Sequence, residues 1–335
     1  MAKILKIGIV GCGRIFSKHL DAINKNLNLK IIAICDTDKK KLNKIKISEI
    51  FKYDNLDKML EMHQFDLVSI CTPSGLHPIH ALACIKKGNN VLIEKPLGTD
   101  LKNVKRIFNI NKEYNKKIFL VKQNRFNPTI VYLNKLIKNK LIKNIFYVQI
   151  DVIWSRGYDY YKSDKWRGTK ELDGGALLNQ ASHYVDLMMW LFGKPVKTLS
   201  FRSRRKANIE MEDTFSSVII LNNNIHCSFN ATTTAYKKNL EGSIKICAEN
   251  CTLKVGGQAL NKIEFIETNN QKIKSLIDTE YEISDIYGKG HIKLYEEIQK
   301  SINGIRNNAI HAEDGIESLN WILEQYKKKI YAPKS

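Results

Sequence analysis

The chain has 335 residues, with 54 Lys and Arg against 34 Asp and Glu, giving a formal charge of +20. The length suits two domains, and 43% hydrophobic with 26% charged residues is ordinary for a soluble globular protein. No apolar run approaches the roughly 18 residues of a membrane span, and the lysines are spread along the whole chain, so membrane and nucleic acid are not expected partners. The densest basic run, Arg202-Ser203-Arg204-Arg205-Lys206, has little aromatic interleaving and reads as a solvated strand end. The excess charge is compatible with a polyanionic small molecule. The seven cysteines are scattered and odd in number, which fits a reducing compartment. Cys247 and Cys251 have ligand-like spacing but no second pair, so no metal is expected. The opening residues lead straight into a strand and lack a signal peptide's apolar stretch; the cytoplasm is the expected location.

Ile4 to Val10 is a short apolar run suited to a buried parallel strand. Gly11-Cys12-Gly13 breaks it, and Arg14 to Asn26 then carries apolar residues at helical spacing: Ile15, Phe16, His19, Leu20, Ile23. Leu29 to Cys35 is a second apolar strand, and Asp36 ends it, 23 residues after Gly13. Strand, glycine turn, helix, strand, acid is the order of a dinucleotide-binding unit. Gly11 and Gly13 allow a tight turn close to a pyrophosphate, with Arg14 and Ile15 opening the helix whose N-terminus faces it. Asp36 would accept hydrogen bonds from both adenine-ribose hydroxyls and repel a 2′-phosphate, which selects NAD over NADP. Phe16 occupies the third glycine position, so helix–strand packing there must be adjusted.

The alternation continues. Asp66 to Cys71 reads as a strand followed by Thr72-Pro73-Ser74, Leu76 to Lys87 as a helix, and Asn90 to Ile93 as a strand stopped by Glu94-Lys95-Pro96. Leu101 to Tyr114 is helical and Ile118 to Val121 is the last strand. This predicts an α/β fold: a doubly wound parallel Rossmann sheet over 1–122, with ligands at the C-terminal strand ends, where Thr72, Glu94 and Asn124 fall. After about residue 122 the rhythm changes. A helix over about Thr129 to Asn139 precedes a long strand, Ile145 to Trp154, then a polar, aromatic loop, Ser155 to Asp173. A helix from about Gly175 to Leu191 follows. Alternating segments between about Val196 and Glu267 predict a largely antiparallel open sheet. Helices over about Gly290 to Ile302 and Ala312 to Lys328 close the chain. The second domain, 123–335, is thus expected to be α+β, binding substrate and offering one sheet face to a partner subunit.

Along nearly its full length the chain resembles the Gfo/Idh/MocA family of sugar oxidoreductases. The matching pieces are Gly11-Cys12-Gly13-Arg14-Ile15, then Cys71-Thr72-Pro73-Ser74 with His77, then Glu94-Lys95-Pro96, and finally Gly174-Gly175 through His183. The resemblance implies that Lys95 reaches the reacting hydroxyl, that its bond to Pro96 is often cis, and that His183 is a second catalytic group. It also implies that Gly11, Gly13, Arg14, Ile15, Asp36, Thr72, Pro73, His77, Glu94, Lys95 and Asn124 bind the cofactor. Asn179 and His183 are four apart and so are expected on one helix face. Many members have Asp where this chain has Asn179, which can orient His183 or substrate but supplies no charge.

Further segments are similar to one branch, the dehydrogenases that oxidise C3 of UDP-N-acetylglucosaminuronic acid. These are Gln123 to Pro128, Tyr160-Tyr161 with Trp166 to Thr169, Leu172 to Gln180, Lys238 to Ser243, and Tyr287-Gly288 with Gly290-His291. That branch implies a role in bacterial surface polysaccharide (O-antigen, lipopolysaccharide) synthesis, a transaminase acting next, a homo-oligomer, in particular a tetramer, and in some members NAD regeneration by 2-oxoglutarate. Oxidising a secondary alcohol needs a hydride acceptor, NAD, and a base, for which Lys95 and His183 stand jointly. Arg125, Arg156, Arg167 and Lys238 are candidate cations for the substrate's carboxylate and diphosphate, with Asn179 and Gln180 also facing substrate. Trp166-Arg167 is alternatively placed on the nicotinamide side of the cofactor. Two other readings stand beside this one: oxidation of UDP-N-acetylglucosamine at C3 or reduction of another 3-keto nucleotide sugar, and a non-catalytic NAD-binding sensor. Retention of Lys95 and His183 and the lack of a helix-turn-helix segment disfavour the sensor.

Overall fold

In the computed structural model, which describes residues 3–206, 209–283, 288 and 290–331, apolar runs and short amphipathic helices alternate from the start. In chain order these are β1 (Leu5–Val10), α1 (Phe16–Asn24), β2 (Leu29–Cys35), α2 (Lys39–Lys44), β3 (Phe51–Tyr53) and α3 (Leu56–Met62). Then come β4 (Leu67–Ile70), α4 (His77–Lys86), β5 (Asn90–Ile93), α5 (Leu101–Tyr114) and β6 (Ile118–Leu120). The second half begins with α6 (Pro128–Lys138), β7 (Ile145–Ile153), α7 (Tyr158–Lys162), a π-helical turn (Ala176–Gln180) and α8 (Ser182–Phe192). It continues with β8 (Pro195–Ser203), β9 (Thr214–Leu221), β10 (His226–Thr232), β11 (Glu241–Ala248), β12 (Cys251–Gly256) and β13 (Lys262–Glu267). The chain then adds α9 (Gln271–Lys274), α10 (Gly290–Ile302), α11 (Ile316–Tyr326) and β14 (Ile330–Tyr331). Two compact units result. The first holds the described residues up to Val121 together with His291–Leu319, and the second holds Lys122–Gly290 with the described residues from Asn320 onward.

Unit 1 is a six-stranded parallel sheet in the order β3-β2-β1-β4-β5-β6. Its central strands are buried on both faces, as their unbroken apolar runs require. The strand order reverses between β1 and β4, so the loops after β1, β2, β4 and β5 gather the expected ligand-binding segments at one edge. Asp38, Asn55 and Asp100 cap α2, α3 and α5 through their side-chain oxygens. The segment from His291 was expected in one continuous second domain, yet it packs with unit 1. Leu120 donates its N–H to Ile310 O at 3.0 Å, Phe119 bridges to His311, and Asn26 donates to Gln299 at 2.9 Å.

Unit 2 carries an eight-stranded mixed sheet, β13-β12-β11-β7-β10-β9-β8-β14. Five of its pairings are antiparallel, while β7–β10 and β8–β14 are parallel. Inward Phe215, Ile219, Phe229, Ile244 and Leu253 are buried, Phe215 and Phe229 edge-on to Trp321 of α11, and α8 is itself almost wholly buried. The expected helix from Gly175 to Leu191 is two pieces: the π turn, closed by Ala181 N–H to Ala176 O at 2.9 Å, and then α8. Asn179 and His183 therefore do not share one α-helix, because the π turn interrupts the 100° step that would stack them. The turn is built around Glu212. Its carboxylate accepts from Leu177 N–H at 3.0 Å, and a Cβ on Gly175 would fall 2.1 Å from Glu212 Oε2. All seven cysteines are free thiols.

Candidate functional site

In unit 1, β1 ends in the glycine turn. Gly11 has φ +96° and donates to Cys35 O at 2.7 Å. A Cβ there would stand 2.6 Å from the Cys71 backbone, so only glycine fits so close to the strand. A Cβ on Gly13 would meet nothing within 4 Å. Asp36, at the end of β2, is tied beside this turn: Oδ2 accepts from Cys12 N–H at 2.7 Å and Oδ1 from Asp38 N–H at 2.8 Å. Helix α1 opens at Ile15 with no side-chain cap, with Arg14 exposed and Phe16 buried as the first helical residue. A tight glycine turn, an open space at Gly13, an uncapped helix N-terminus and an anchored acid fit the pyrophosphate and adenosine end of NAD.

The loops after β4 and β5 are pinned to each other. The His77 ring lies between Pro96 O (Nδ1, 2.7 Å) and Thr72 O (Nε2, 2.8 Å). Burial lowers its pKa from the ordinary value despite these two carbonyls. The Thr72 hydroxyl contacts His80 Nδ1 at 3.0 Å. Pro73 precedes the single 3₁₀ turn that leads into α4. The Lys95-Pro96 bond is cis. Lys95 is half-buried, and its backbone N–H donates to Glu94 Oε2 at 3.0 Å. Glu94 is buried and receives His19 Nε2 at 2.9 Å on Oε1. Burial opposes its charge, but His19 and His291 outweigh this and hold the carboxyl well below the usual range. His19, Glu94 and His291 are also the group, among the described residues, whose ligand atoms lie close enough to hold a metal.

In unit 2 the residues after β6 form a 3₁₀ turn, Gln123–Phe126, with Gln123 and Asn124 buried. Gln123 Nε2 is 3.3 Å from His183 Nε2. Arg125 forks onto Asp186, with Nε to Oδ2 at 2.8 Å and Nη2 to Oδ1 at 2.6 Å, and lies over the Trp190 ring. Buried Lys122 adds a third contact to Asp186 at 3.4 Å. Burial would raise the Asp186 pKa, but the two cations overcome it and lower it. Burial conversely pulls Lys122 below the ordinary lysine value, against the attraction of Asp186.

Asn179 donates its amide to the buried carboxylate of Asp173. A charge is thus supplied one hydrogen bond behind Asn179. Gln180 donates to Tyr160 OH at 2.9 Å and accepts from Arg156 Nε at 2.9 Å. Arg167 donates to Tyr160 OH at 2.8 Å and stacks on both Tyr160 and Trp166 with its guanidinium carbon 4.5 Å from each ring centre. Arg156 lies over Trp154 and Tyr160. Lys238 is exposed on the neighbouring loop. The structure therefore gathers Arg156, Arg167, Asn179 and Gln180 around Tyr160, while Arg125 is engaged with Asp186. Tyr287, part of the resemblance, lies outside the described residues.

Several residues of these networks escaped the sequence reading. His19 stood on the apolar face of a helix and looked like core; nothing in the sequence named Glu94 as its partner. Tyr160 and Asp173 lay inside quoted motifs, but only the fold shows what they touch. Gln123 likewise lay inside such a motif, while Lys122 and Asp186 carried no spacing signal.

The Gfo/Idh/MocA model for the oxidoreductase family's NAD-binding Rossmann fold matches residues 5–122, and that for its C-terminal alpha/beta domain matches 134–328. The chain is similar to the WlbA dehydrogenase of Bordetella pertussis, a crystal structure in complex with NADH and UDP-GlcNAcA, with TM-score 0.92 and 33% identity. That likeness covers 98% of this chain and 96% of the other. Among curated proteins it is 24% identical to an uncharacterized oxidoreductase of Synechocystis sp., over 69% of this chain. It is 22% identical to glucose-6-phosphate 3-dehydrogenase of Bacillus subtilis, over 62%. The match spans 66% and 59% of those two relatives' lengths, under two thirds in each. With both family models covering most of the chain, it belongs to the Gfo/Idh/MocA oxidoreductase family, with an NAD-binding Rossmann domain.

Proposed function

We propose that the protein oxidises the C3 hydroxyl of UDP-N-acetylglucosaminuronic acid to the 3-keto sugar. The observation that carries this reading is the likeness, at 33% identity over 98% of the chain, to a dehydrogenase solved with NADH and UDP-GlcNAcA. The cationic group in unit 2 supports it: Arg156, Arg167 and exposed Lys238 suit a carboxylate and a diphosphate, which the guanidinium fork matches in shape. When bound, NAD supplies hydride acceptance at C3. Gly11, Gly13, Arg14, Ile15 and Asp36 hold its adenosine and pyrophosphate; Thr72, Pro73, His77, Glu94, Lys95 and Asn124 are assigned to its remainder, with Trp166 and Arg167 as further contacts.

Proton removal is assigned to Lys95 and His183. Either Lys95 is the base, or it polarises the hydroxyl oxygen while His183 takes the proton. Gln123, 3.3 Å from His183 Nε2, fixes the ring's orientation. Asn179 and Gln180 orient the sugar, the former backed by Asp173. Arg125 acts mainly by holding the Asp186 end of α8, which also bears His183.

The product is read as an intermediate for surface polysaccharide synthesis in the cytoplasm, with 2-oxoglutarate as a reoxidant of NADH. A homo-oligomer, in particular a tetramer, is proposed through the open face of the unit 2 sheet. Exposed Leu199, Val218 and Phe265 lie on one register row there. Light scattering giving a monomer would contradict this part. Purified protein offered NAD with UDP-GlcNAcA or UDP-GlcNAc, with and without 2-oxoglutarate, tests the substrate. NADH formation with the uronic acid alone is expected. Turnover of UDP-GlcNAc instead would favour the neighbouring reading, and no turnover of any sugar would favour a sensor.

A further inference from the structure

We propose that Ser69, Tyr295, His19 and Glu94 form a buried, hydrogen-bonded relay that positions Lys95, so that His19 and Tyr295 are positioning residues; this rests on the catalytic reading of Lys95 above. All four side chains lie in unit 1 and come from four different elements: β4, α10, α1 and the end of β5. Each is buried, with His19 at 0% and Glu94 at 6% exposure.

The contacts run in one continuous chain from Ser69 to the Lys95 peptide. Lys95 N–H can only donate, so Glu94 Oε2 accepts it at 3.0 Å. The Glu94 carboxylate is an acceptor on Oε1 as well, so His19 presents Nε2–H to it at 2.9 Å. His19 Nδ1 lies 2.7 Å from the Tyr295 hydroxyl. The Tyr295 and Ser69 hydroxyls are 2.7 Å apart, and either can donate. Glu94 ends the chain as the acceptor facing both His19 Nε2 and the Lys95 N–H, and the latter bond holds the peptide that carries Lys95. On the other side of that residue, Pro96 O is held by His77 Nδ1 at 2.7 Å. The loop is thus clamped at both peptides, and its aim depends on a carboxylate that stays ionised.

The charged and titratable groups facing Glu94 are His19 from α1, His291 and Tyr295 from α10, Cys71 after β4, and His77 from α4, with Lys95 next in chain. His291 lies 3.8 Å from Oε1 and meets His19 edge-on at 5.5 Å, so removing His19 leaves a weaker contact. Burial then pushes the Glu94 carboxyl up. In His19→Leu it should protonate at a higher pH than in wild type, and activity should fall as it does.

The experiment compares wild type with His19→Leu, His19→Gln and Tyr295→Phe, and records histidine ¹⁵N spectra of the wild-type protein. The expected result is a kcat loss of about 10- to 100-fold in His19→Leu, the scale of a misaimed catalytic group. KM for the sugar and NADH affinity should hold, and the pH profile should gain a new acidic limb. His19→Gln, which restores an amide donor toward Oε1, should recover most of the rate, and Tyr295→Phe should fall between. The wild-type spectra should show a proton on His19 Nε2, the nitrogen that faces Glu94. Parallel loss of NADH affinity and kcat without rescue by Gln overturns the proposal, as does the Nδ1–H tautomer or a metal ion bound stoichiometrically at these histidines. Should His19→Leu fail to fold, Tyr295→Phe and the spectra decide. A wild type that turns over no sugar fails the functional reading, while the spectra still judge the relay.

Discussion

Replacing Asp186 by Asn should be among the most damaging single changes in unit 2. Asp186 is 3% exposed at its side chain and meets two cations, Lys122 at 4% and Arg125 at 14% exposure. Asn keeps the shape and one acceptor but removes the charge, leaving two like charges buried together. Breaking a buried pair in this way costs about 3–5 kcal/mol, most of it the uncompensated charge. For a unit of this size, each kcal/mol shifts the midpoint by roughly 2–4 °C, so a drop of about 10 °C is expected. The assay is urea and thermal unfolding of Asp186→Asn, Lys122→Met and the double variant. Lys122→Met in the Asp186→Asn background should recover part of the loss, because it removes the charge left without a counter-ion. The pH dependence follows from the same geometry. A carboxyl whose folded pKa is depressed contributes stability above its unfolded value, near 4, and loses it as pH falls through the folded value. Wild type should therefore keep this contribution through neutral pH and lose it only in acid, and the variant should lack that acid loss. An Asp186→Asn protein within about 1 kcal/mol of wild type, the scale of an exposed pair, would refute the account of a desolvated triad.

Further expectations concern backbone, acid and cofactor. Glu212, pushed up to about 7 by burial, binds a proton in the fold that the unfolded chain has released; stability should fall as pH rises from about 4.5 to 7. Urea melts across that range should show the decline, and Glu212→Gln, which keeps acceptors for Leu177 N–H and Tyr326 OH, should flatten it. Gly11→Ala should destabilise the fold and abolish NADH binding, since its Cβ meets backbone at 2.6 Å with φ +96°. Gly13→Ala should keep the melting temperature and lose NADH affinity, as measured by fluorescence titration, because its Cβ meets no protein atom. Asp36→Asn should narrow the preference for NAD over NADP in the same titration, by removing the charge that repels a 2′-phosphate.

The parallel unit was legible because buried parallel strands are unbroken apolar runs. β1, β2, β4, β5 and β6 could be read directly, with Gly11, Asp36, Thr72 and Glu94 marking their ends. The lysine-rich stretch holding α2, β3 and α3 gave no such run; β3 is only three residues, and its first two are exposed. The split of the 175–191 helix was hidden for another reason. Ala176-Leu177-Leu178 continues smoothly into α8 as an apolar helix, and the π turn is imposed by Glu212 and Tyr326, distant in sequence. Membership of His291 to Leu319 in unit 1 is likewise a tertiary fact, made by contacts such as Ser69 with Tyr295. For the site, residue types at strand ends pointed to Lys95 and to the cofactor loop. The partners that set protonation and aim, namely His19, Tyr160 and Asp173, depend on side chains meeting across the fold, which local patterns do not encode.

The most direct test of the account is the rate of NADH formation when UDP-N-acetylglucosaminuronic acid and NAD are mixed with wild type, Lys95→Ala, His183→Ala and the double variant. Wild type should reduce NAD with this sugar, and each single variant should lose about 10²–10⁴-fold in kcat. Full turnover by the double variant, or a wild type that leaves NAD oxidised with this sugar, would contradict the claim.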